Sequence, residues 1–77
     1  MIVRFYGRLA DAIGREVQVA SADRAVGDIR REVAAEHPTV ADALARSRAI
    51  IDDRMVGDER LVGESDSLEF LPPVSGG

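Results

Sequence analysis

The chain has 77 residues, a net charge of −4 and no cysteine, so it has room for one small domain and excludes a disulfide framework, a thiolate nucleophile and a cysteine-type metal site. Its ten cationic residues are all arginines, scattered among fourteen acids, a pattern that disfavours general nucleic-acid binding and favours a basic partner. A cytoplasmic location is the default expectation, because a chain without disulfide bonds suits a reducing compartment. The charge within the first residues also predicts neither a signal peptide nor a membrane span.

The first twenty residues predict two strands separated by a short helix. Residues 2–6 are rich in β-branched and aromatic residues, which is typical of a strand in a half-buried sheet. A helical turn over residues 8–13, capped by Gly14, is expected next. In residues 16–19 apolar and polar side chains alternate, so this segment predicts a second strand with its valines facing inward.

The middle of the chain predicts the main helix. Val26, Ile29 and Val33 recur at helical spacing, with charged side chains on the opposite face. The helix is expected to end before Pro38. Residues 39–44 open on a capping-box pattern and predict a second, short helix.

The last third of the chain predicts strands joined by turns. Residues 49–51 and 55–56 flank a turn-prone segment and predict a hairpin. Residues 61–62 are expected in a loop, and residues 67–71 predict a last strand that two prolines end. This order predicts one α+β domain over residues 1–72, with a mixed sheet of four or five strands covered by the main helix. A β-grasp arrangement fits, with the first and last strands side by side.

The C-terminal tail, residues 73–77, begins at a stiff Pro-Pro segment and ends in two glycines, which have no side chains. Pro72 and Pro73 favour an extended backbone and cannot donate to a ladder, so they would project the last residues away from the sheet. Gly76 and Gly77 have no Cβ and could enter a slot one backbone wide. The terminal carboxylate could form a mixed anhydride with AMP that sulfur opens to a thiocarboxylate. A frayed end is the alternative interpretation.

Residues 68–77, LEFLPPVSGG, resemble the C-terminal signature of the MoaD-like family, the small subunits of molybdopterin synthase. Residues 2–10 and 26–29 are also similar to that family. The resemblance implies a ubiquitin-like β-grasp fold with a flexible Gly-Gly tail. It also implies that Gly77, next to Gly76, is adenylated and converted to a thiocarboxylate.

The resemblance further implies a set of partners. These are an ATP-dependent E1-like activating enzyme, a sulfur donor and the large, catalytic subunit of the synthase, where sulfur passes to a cyclic pterin precursor in molybdenum cofactor biosynthesis. On its own the chain would be a non-catalytic carrier that binds no cofactor and no metal, ATP being used by the activating enzyme. The expected partner-binding residues are Pro72, Pro73, Val74, Ser75 and Phe70.

Two positions depart from the family pattern. Ser65 stands where a glycine is usual, which predicts a differently shaped or mildly strained turn. Ala25 stands where a threonine commonly caps the main helix, which predicts a cap weaker by about 1 kcal/mol unless another group substitutes.

Other candidate residues and functions are weaker. His37 is expected to be a polar residue at a helix end, and Asp52 and Asp53 to form a solvated turn rather than a cation site. The alternatives to molybdopterin synthesis are a sulfur carrier for thiamine or cysteine synthesis, a ubiquitin-like modifier, and a binding module with an incidental tail. The sequence leaves open the pathway, the activating enzyme, the sulfur donor and the stoichiometry.

Overall fold

The chain folds into seven strands, three α-helices and a 3-10 turn over residues 1–20 and 24–73, which a computed structural model describes. In chain order the elements are β1 (Ile2–Phe5), α1 (Gly7–Ile13), β2 (Glu16–Gln18), β3 (Arg24–Ala25), α2 (Val26–Glu36), a 3-10 turn (Pro38–Val40), α3 (Ala41–Ala45), β4 (Arg48–Ile51), β5 (Arg54–Val56), β6 (Leu61–Val62) and β7 (Leu68–Leu71). Within the described ranges, no helix is both long and apolar enough to cross a membrane.

The main sheet has five strands in the order β2-β1-β7-β4-β5. The central pair, β1 and β7, is parallel, whereas the other three pairings are antiparallel. The first and last of its strands are therefore neighbours, as predicted, and the mixed sheet of a β-grasp fold is confirmed. Because β7 lies in the middle of the sheet, the segment that leads to the tail is held on both sides.

One face of the sheet carries the core. Along the central strands side chains alternate strictly, with Val3, Phe5, Leu68 and Phe70 pointing inward and fully buried. The main helix contributes further buried side chains, Val26, Ile29 and Val33. The Phe5 and Phe70 rings stack with their centroids 5.7 Å apart. The period-2 pattern of these strands thus places an apolar layer against the helices and leaves an opposite face, here called the open face.

The prediction of a loop at residues 61–62 is wrong. These residues form β6, which pairs with β3 in a small second sheet, Arg24 opposite Val62 and Ala25 opposite Leu61. Strands of two residues are too short to show a period, so the sequence pattern could not reveal them.

The small sheet also explains how the main helix begins without a capping side chain. The Val26 N–H donates to the Arg60 carbonyl and the Gly27 N–H to the Asp58 carbonyl, each at 2.9 Å. The Asp28 carboxylate accepts the Ala25 N–H at 3.2 Å. The missing threonine hydroxyl is therefore replaced by backbone carbonyls of the segment before β6, which satisfy donors that a helix start leaves free.

Turn chemistry follows the predictions in one place and departs from them in two. The hairpin is confirmed, with Asp52 and Asp53 both at positive φ in a two-residue turn. At Ser65 the expected strain is absent: its φ is not positive, and an ordinary turn is closed by the Asp66 N–H to the Gly63 carbonyl at 3.1 Å. The capping box before the short helix is not formed, because Val40 occupies the N-cap.

Candidate functional site at the base of the C-terminal tail

The structure defines the base of the tail, while Val74, Ser75, Gly76 and Gly77 lie outside the described residues. The base is the end of β7, which pairs with β1 on one side and with β4 on the other. Pro72 and Pro73 follow directly and are half-buried. The two prolines thus stand where predicted, at the end of the central strand.

Phe70 requires a correction. Its side chain is fully buried and stacks on Phe5, so it is a core residue and not a surface that a partner could contact. For an aromatic residue in a predicted strand, a core or cross-strand role is the simplest interpretation of the sequence, and the structure confirms that role instead. The alternation along β7, which points Leu68 and Phe70 inward and Glu69 and Leu71 outward, is the signal that could have excluded the partner role.

Behind Phe70 lies an arginine whose importance the sequence did not reveal. The Arg30 guanidinium carbon is 5.0 Å from the centroid of the Phe70 ring, and the side chain is 11% exposed. Its Nη1 donates to the Leu44 carbonyl at 2.6 Å and to the Ser47 carbonyl and hydroxyl at 2.9 Å each, and its Nη2 donates to the Asp58 carboxylate at 2.9 Å. Arg30 therefore joins α2, the turn before β4 and the segment before β6 behind the strand that leads to the tail.

The position of Arg30 contained a usable signal. It comes four residues after Val26 and three before Val33, which places it on the apolar face of the helix. The simple amphipathic pattern instead assigns all the charged residues of this helix to the solvent. The long apolar stem of arginine, together with its five donors, allows it to lie across a core and satisfy several carbonyls at once.

The open face presents a polar row beside apolar side chains. In register across the sheet lie Glu16, Arg4, Glu69, Ile50 and Met55. Arg4 is 3.8 Å from Glu16, and the Tyr6 hydroxyl donates a hydrogen bond to the Glu69 carboxylate. Met55 is 67% exposed. Uncovered apolar side chains next to the tail base are typical of an interaction surface.

Tyr6 offers a direct test of this arrangement. Its hydrogen bond to Glu69 raises the pKa of the phenol, with smaller contributions in the same direction from desolvation and the Glu69 charge. A raised pKa in the folded state means that the bond contributes fully below the unfolded value of about 10 and is lost as the pH rises through the folded pKa.

We expect alkaline titration, followed by the absorbance of the single tyrosine, to give a pKa above 10 that falls toward 10 in Glu69→Gln. Glu64→Gln is a matched control, because Glu64 is an exposed acid outside the strands. An identical titration in Glu69→Gln and the unaltered protein would contradict the bond.

The remaining candidate residues, His37, Asp52 and Asp53, lie at a helix end and in a turn, as the sequence predicts for residues with a structural role. His37 is the half-buried C-cap of the main helix. Asp52 and Asp53 are exposed in the hairpin turn. Over residues 1–20 and 24–73, no group of three or more histidine, aspartate or glutamate side chains could hold a metal ion.

Comparison with known proteins decides the family. The model of the ThiS family matches residues 3–77, which is nearly the whole chain and includes the Gly-Gly end. The chain belongs to the ThiS family. No curated protein sequence matches it.

Solved structures agree with a ThiS-family fold. SAMP1 from Haloferax volcanii is 22% identical over 99% of this chain and 97% of its own, with a TM-score of 0.72. A putative molybdopterin converting factor subunit 1 from Pyrococcus furiosus is 19% identical over 95% of each chain, with a TM-score of 0.73. A chain from the complex of subunits 1 and 2 of the Helicobacter pylori molybdopterin-converting factor is 21% identical over 99% and 96%, with a TM-score of 0.67. At these identities the likeness shows the fold, which is a ubiquitin-like β-grasp fold.

Proposed function

We propose that this ThiS-family chain is the sulfur-carrying small subunit of a molybdopterin synthase. The observation that carries the proposal is the end of the central strand: β7 is held on both sides and runs directly into Pro72 and Pro73, four residues before the terminal glycine of a chain whose match to the family extends to residue 77. A terminal glycine that follows such a strand and two prolines in the sequence would be suited to entering the active site of another protein.

The proposed chemistry takes place at one functional group, the C-terminal carboxylate of Gly77. A carboxylate oxygen of Gly77 attacks the α-phosphorus of ATP in the activating enzyme, which releases pyrophosphate and leaves an acyl adenylate. Hydrosulfide, HS⁻, released by the sulfur donor then adds to the acyl carbon and AMP departs, giving a thiocarboxylate and a proton. Glycine suits both steps, because Gly76 and Gly77 carry no side chain that would obstruct a narrow active site. The chain itself contributes no catalytic group and, in this proposal, binds no cofactor.

The open face and the tail base supply the proposed contact with partners. The apolar side chains of Met55, Ile50 and Leu71 lie on the same face, with Pro72 at its end. The likeness to one half of a two-subunit converting factor supports a large-subunit partner, which would take the tail and pass sulfur to a cyclic pterin precursor. The activating enzyme and the sulfur donor would meet the same tail, and a cytoplasmic location remains an expectation.

A ubiquitin-like modifier is the second candidate, and one observation favours it. One structure that the chain resembles is described as a small archaeal modifier protein, with 19% identity and a TM-score of 0.72. Because the chain lacks lysine, copies could not be attached to one another through lysine side chains. Conjugates that survive denaturation in extracts of the native host would support this function. A carrier for thiamine or cysteine synthesis stays within the same chemistry.

The mass of the C-terminal peptide tests the proposed function. We expect protein purified without a C-terminal tag, and incubated with ATP, activating enzyme and a sulfur source, to carry one sulfur in place of one terminal oxygen. The change must be localised to the last peptide, because oxidation of Met1 or Met55 adds nearly the same mass elsewhere. An unmodified carboxylate after that incubation would contradict the carrier function.

A further inference from the structure

The tail base rests on the turn between β1 and α1. Because β1 and β7 are parallel, with Phe5 opposite Phe70, the next positions bring Tyr6 beside Leu71 and Gly7 beside Pro72. There the two chains part: β1 turns at once into α1, while the other chain continues as the tail. Gly7 adopts a φ of +57° at this point, a conformation in which side chains other than that of glycine are disfavoured.

The contact between the two residues is close. A Cβ added at Gly7 would lie 3.1 Å from Cγ of Pro72, which is tighter than ordinary carbon contacts. The turn itself cannot easily move away, because the Tyr6 carbonyl accepts the N–H groups of Leu9 and Ala10 and the Tyr6 hydroxyl is bound to Glu69 of β7. A side chain at residue 7 would therefore require the Pro72 ring to shift by a few tenths of an ångström.

We propose that Gly7 is a positioning residue for the C-terminal tail. Because Gly7 has no side chain, the Pro72 ring packs directly against its backbone, and this contact sets the direction in which the tail leaves the sheet. The inference rests on the proposed carrier function for its consequence, but not for the contact itself. Proline has a fixed φ, and two prolines in succession transmit a displacement of the first ring to the residues after them. The five residues after Pro72 can span at most about 17 Å when fully extended. A small rotation of the chain at Pro72 would therefore produce a larger displacement of Gly77.

The chain provides a matched control for the backbone effect. Gly14 also has a positive φ, +115°, but an added Cβ there meets no atom within 4 Å. Gly7→Ala and Gly14→Ala both introduce backbone strain, whereas only Gly7→Ala displaces Pro72. Any effect on the tail that appears in the first variant and not in the second is therefore not a general effect of strain or stability.

Two measurements test the inference at a temperature where both variants are folded. In carbon-detected NMR spectra, Gly7→Ala is expected to shift the signals of Leu71, Pro72 and Pro73, and Gly14→Ala to leave them in place. In ATP-pyrophosphate exchange by the activating enzyme, Gly7→Ala is expected to raise KM for the carrier roughly tenfold with kcat unchanged, because docking of the tail is impaired and the carboxylate is not.

A double variant makes the result specific. Once Pro72→Ala has removed the ring, adding Gly7→Ala is expected to raise KM no further, since the two residues act through one contact. Additive effects, unmoved signals at residues 71–73, or a KM equal to that of Gly14→Ala would each overturn the inference. A wild-type chain that is not adenylated at all would contradict the proposed function instead. The NMR shifts would still decide whether the contact between Gly7 and Pro72 positions the tail base.

Discussion

Deletion of Gly76 and Gly77 is expected to reduce sulfur transfer to background while leaving the domain folded. The electrophilic carbon of the proposed cycle belongs to the last residue, and a chain that ends at Ser75 presents its carboxylate two residues too early and next to a side chain. The loss is measured as single-turnover transfer of sulfur from a pre-incubated carrier to the cyclic pterin precursor in the presence of the large subunit. Transfer at the normal rate from the shortened chain would rule out the carrier function.

The domain itself provides the control for that experiment. In the described part of the chain the buried residues lie between positions 3 and 70, so we expect the free energy of unfolding of the shortened chain to match that of the full chain within about 0.5 kcal/mol. Gly63→Ala serves as a glycine substitution away from the tail, because an added methyl there would lie 3.8 Å from its nearest neighbour. It is expected to transfer sulfur normally.

Binding to the large subunit separates the two roles of the tail. If Met55 and Leu71 on the open face supply most of the contact, the shortened chain still binds, although more weakly, and inhibits transfer from the intact carrier. A shortened chain that neither binds nor inhibits would place the contact in the last residues and would contradict the proposed role of the open face.

Replacement of Arg30 by alanine is expected to lower the free energy of unfolding by about 2–4 kcal/mol. The substitution removes the donor to the Ser47 carbonyl and one of several donors to the Leu44 carbonyl, and it uncovers one side of the Phe70 ring. The bond to Asp58 contributes little to this figure, because that carboxylate is 54% exposed and solvent weakens such pairs. Urea denaturation measures the change, and the midpoint is expected to fall.

The neighbouring arginine is the matched control. Arg31 is bound to Asp28 at 2.6 Å, but its side chain is 73% exposed, so Arg31→Ala is expected to change the free energy of unfolding by no more than about 0.5 kcal/mol. Arg30→Met retains an apolar stem against Phe70 and is expected to recover part of the loss. Equal destabilisation by Arg30→Ala and Arg31→Ala would show that the buried hydrogen bonds contribute nothing.

The sequence was sufficient for those parts of the fold that follow from a long or strict pattern. Alternation of apolar and polar side chains predicted β2, two prolines marked the end of the last strand, and the helical recurrence of Val26, Ile29 and Val33 predicted the main helix. The pairing of the first and last strands followed from the order of elements and is confirmed by the parallel register of β1 and β7. The sheet could be predicted because each element buries a continuous apolar stripe.

The remaining features arise from contacts between distant segments, which a local pattern does not contain. Leu61 and Val62 form a strand only because Arg24 and Ala25 lie opposite. Arg30 is buried because carbonyls of a distant turn need its donors, whereas a charged residue in a helix is ordinarily solvated. The Gly-Gly end, from which the functional hypothesis came, lies outside the described residues and stays a prediction.

The parallel pairing of β1 and β7 has a mechanical consequence. The chain enters this pair at the start of β1 and leaves it at the end of β7, which are opposite ends of the same ladder. A force applied between the N-terminus and the tail therefore slides the two strands along each other and loads their hydrogen bonds together. In the β4–β5 hairpin, a force at the open end would separate the bonds one after another. A partner that holds the tail and pulls it away from the N-terminus would thus load the β1–β7 hydrogen bonds together and not one after another.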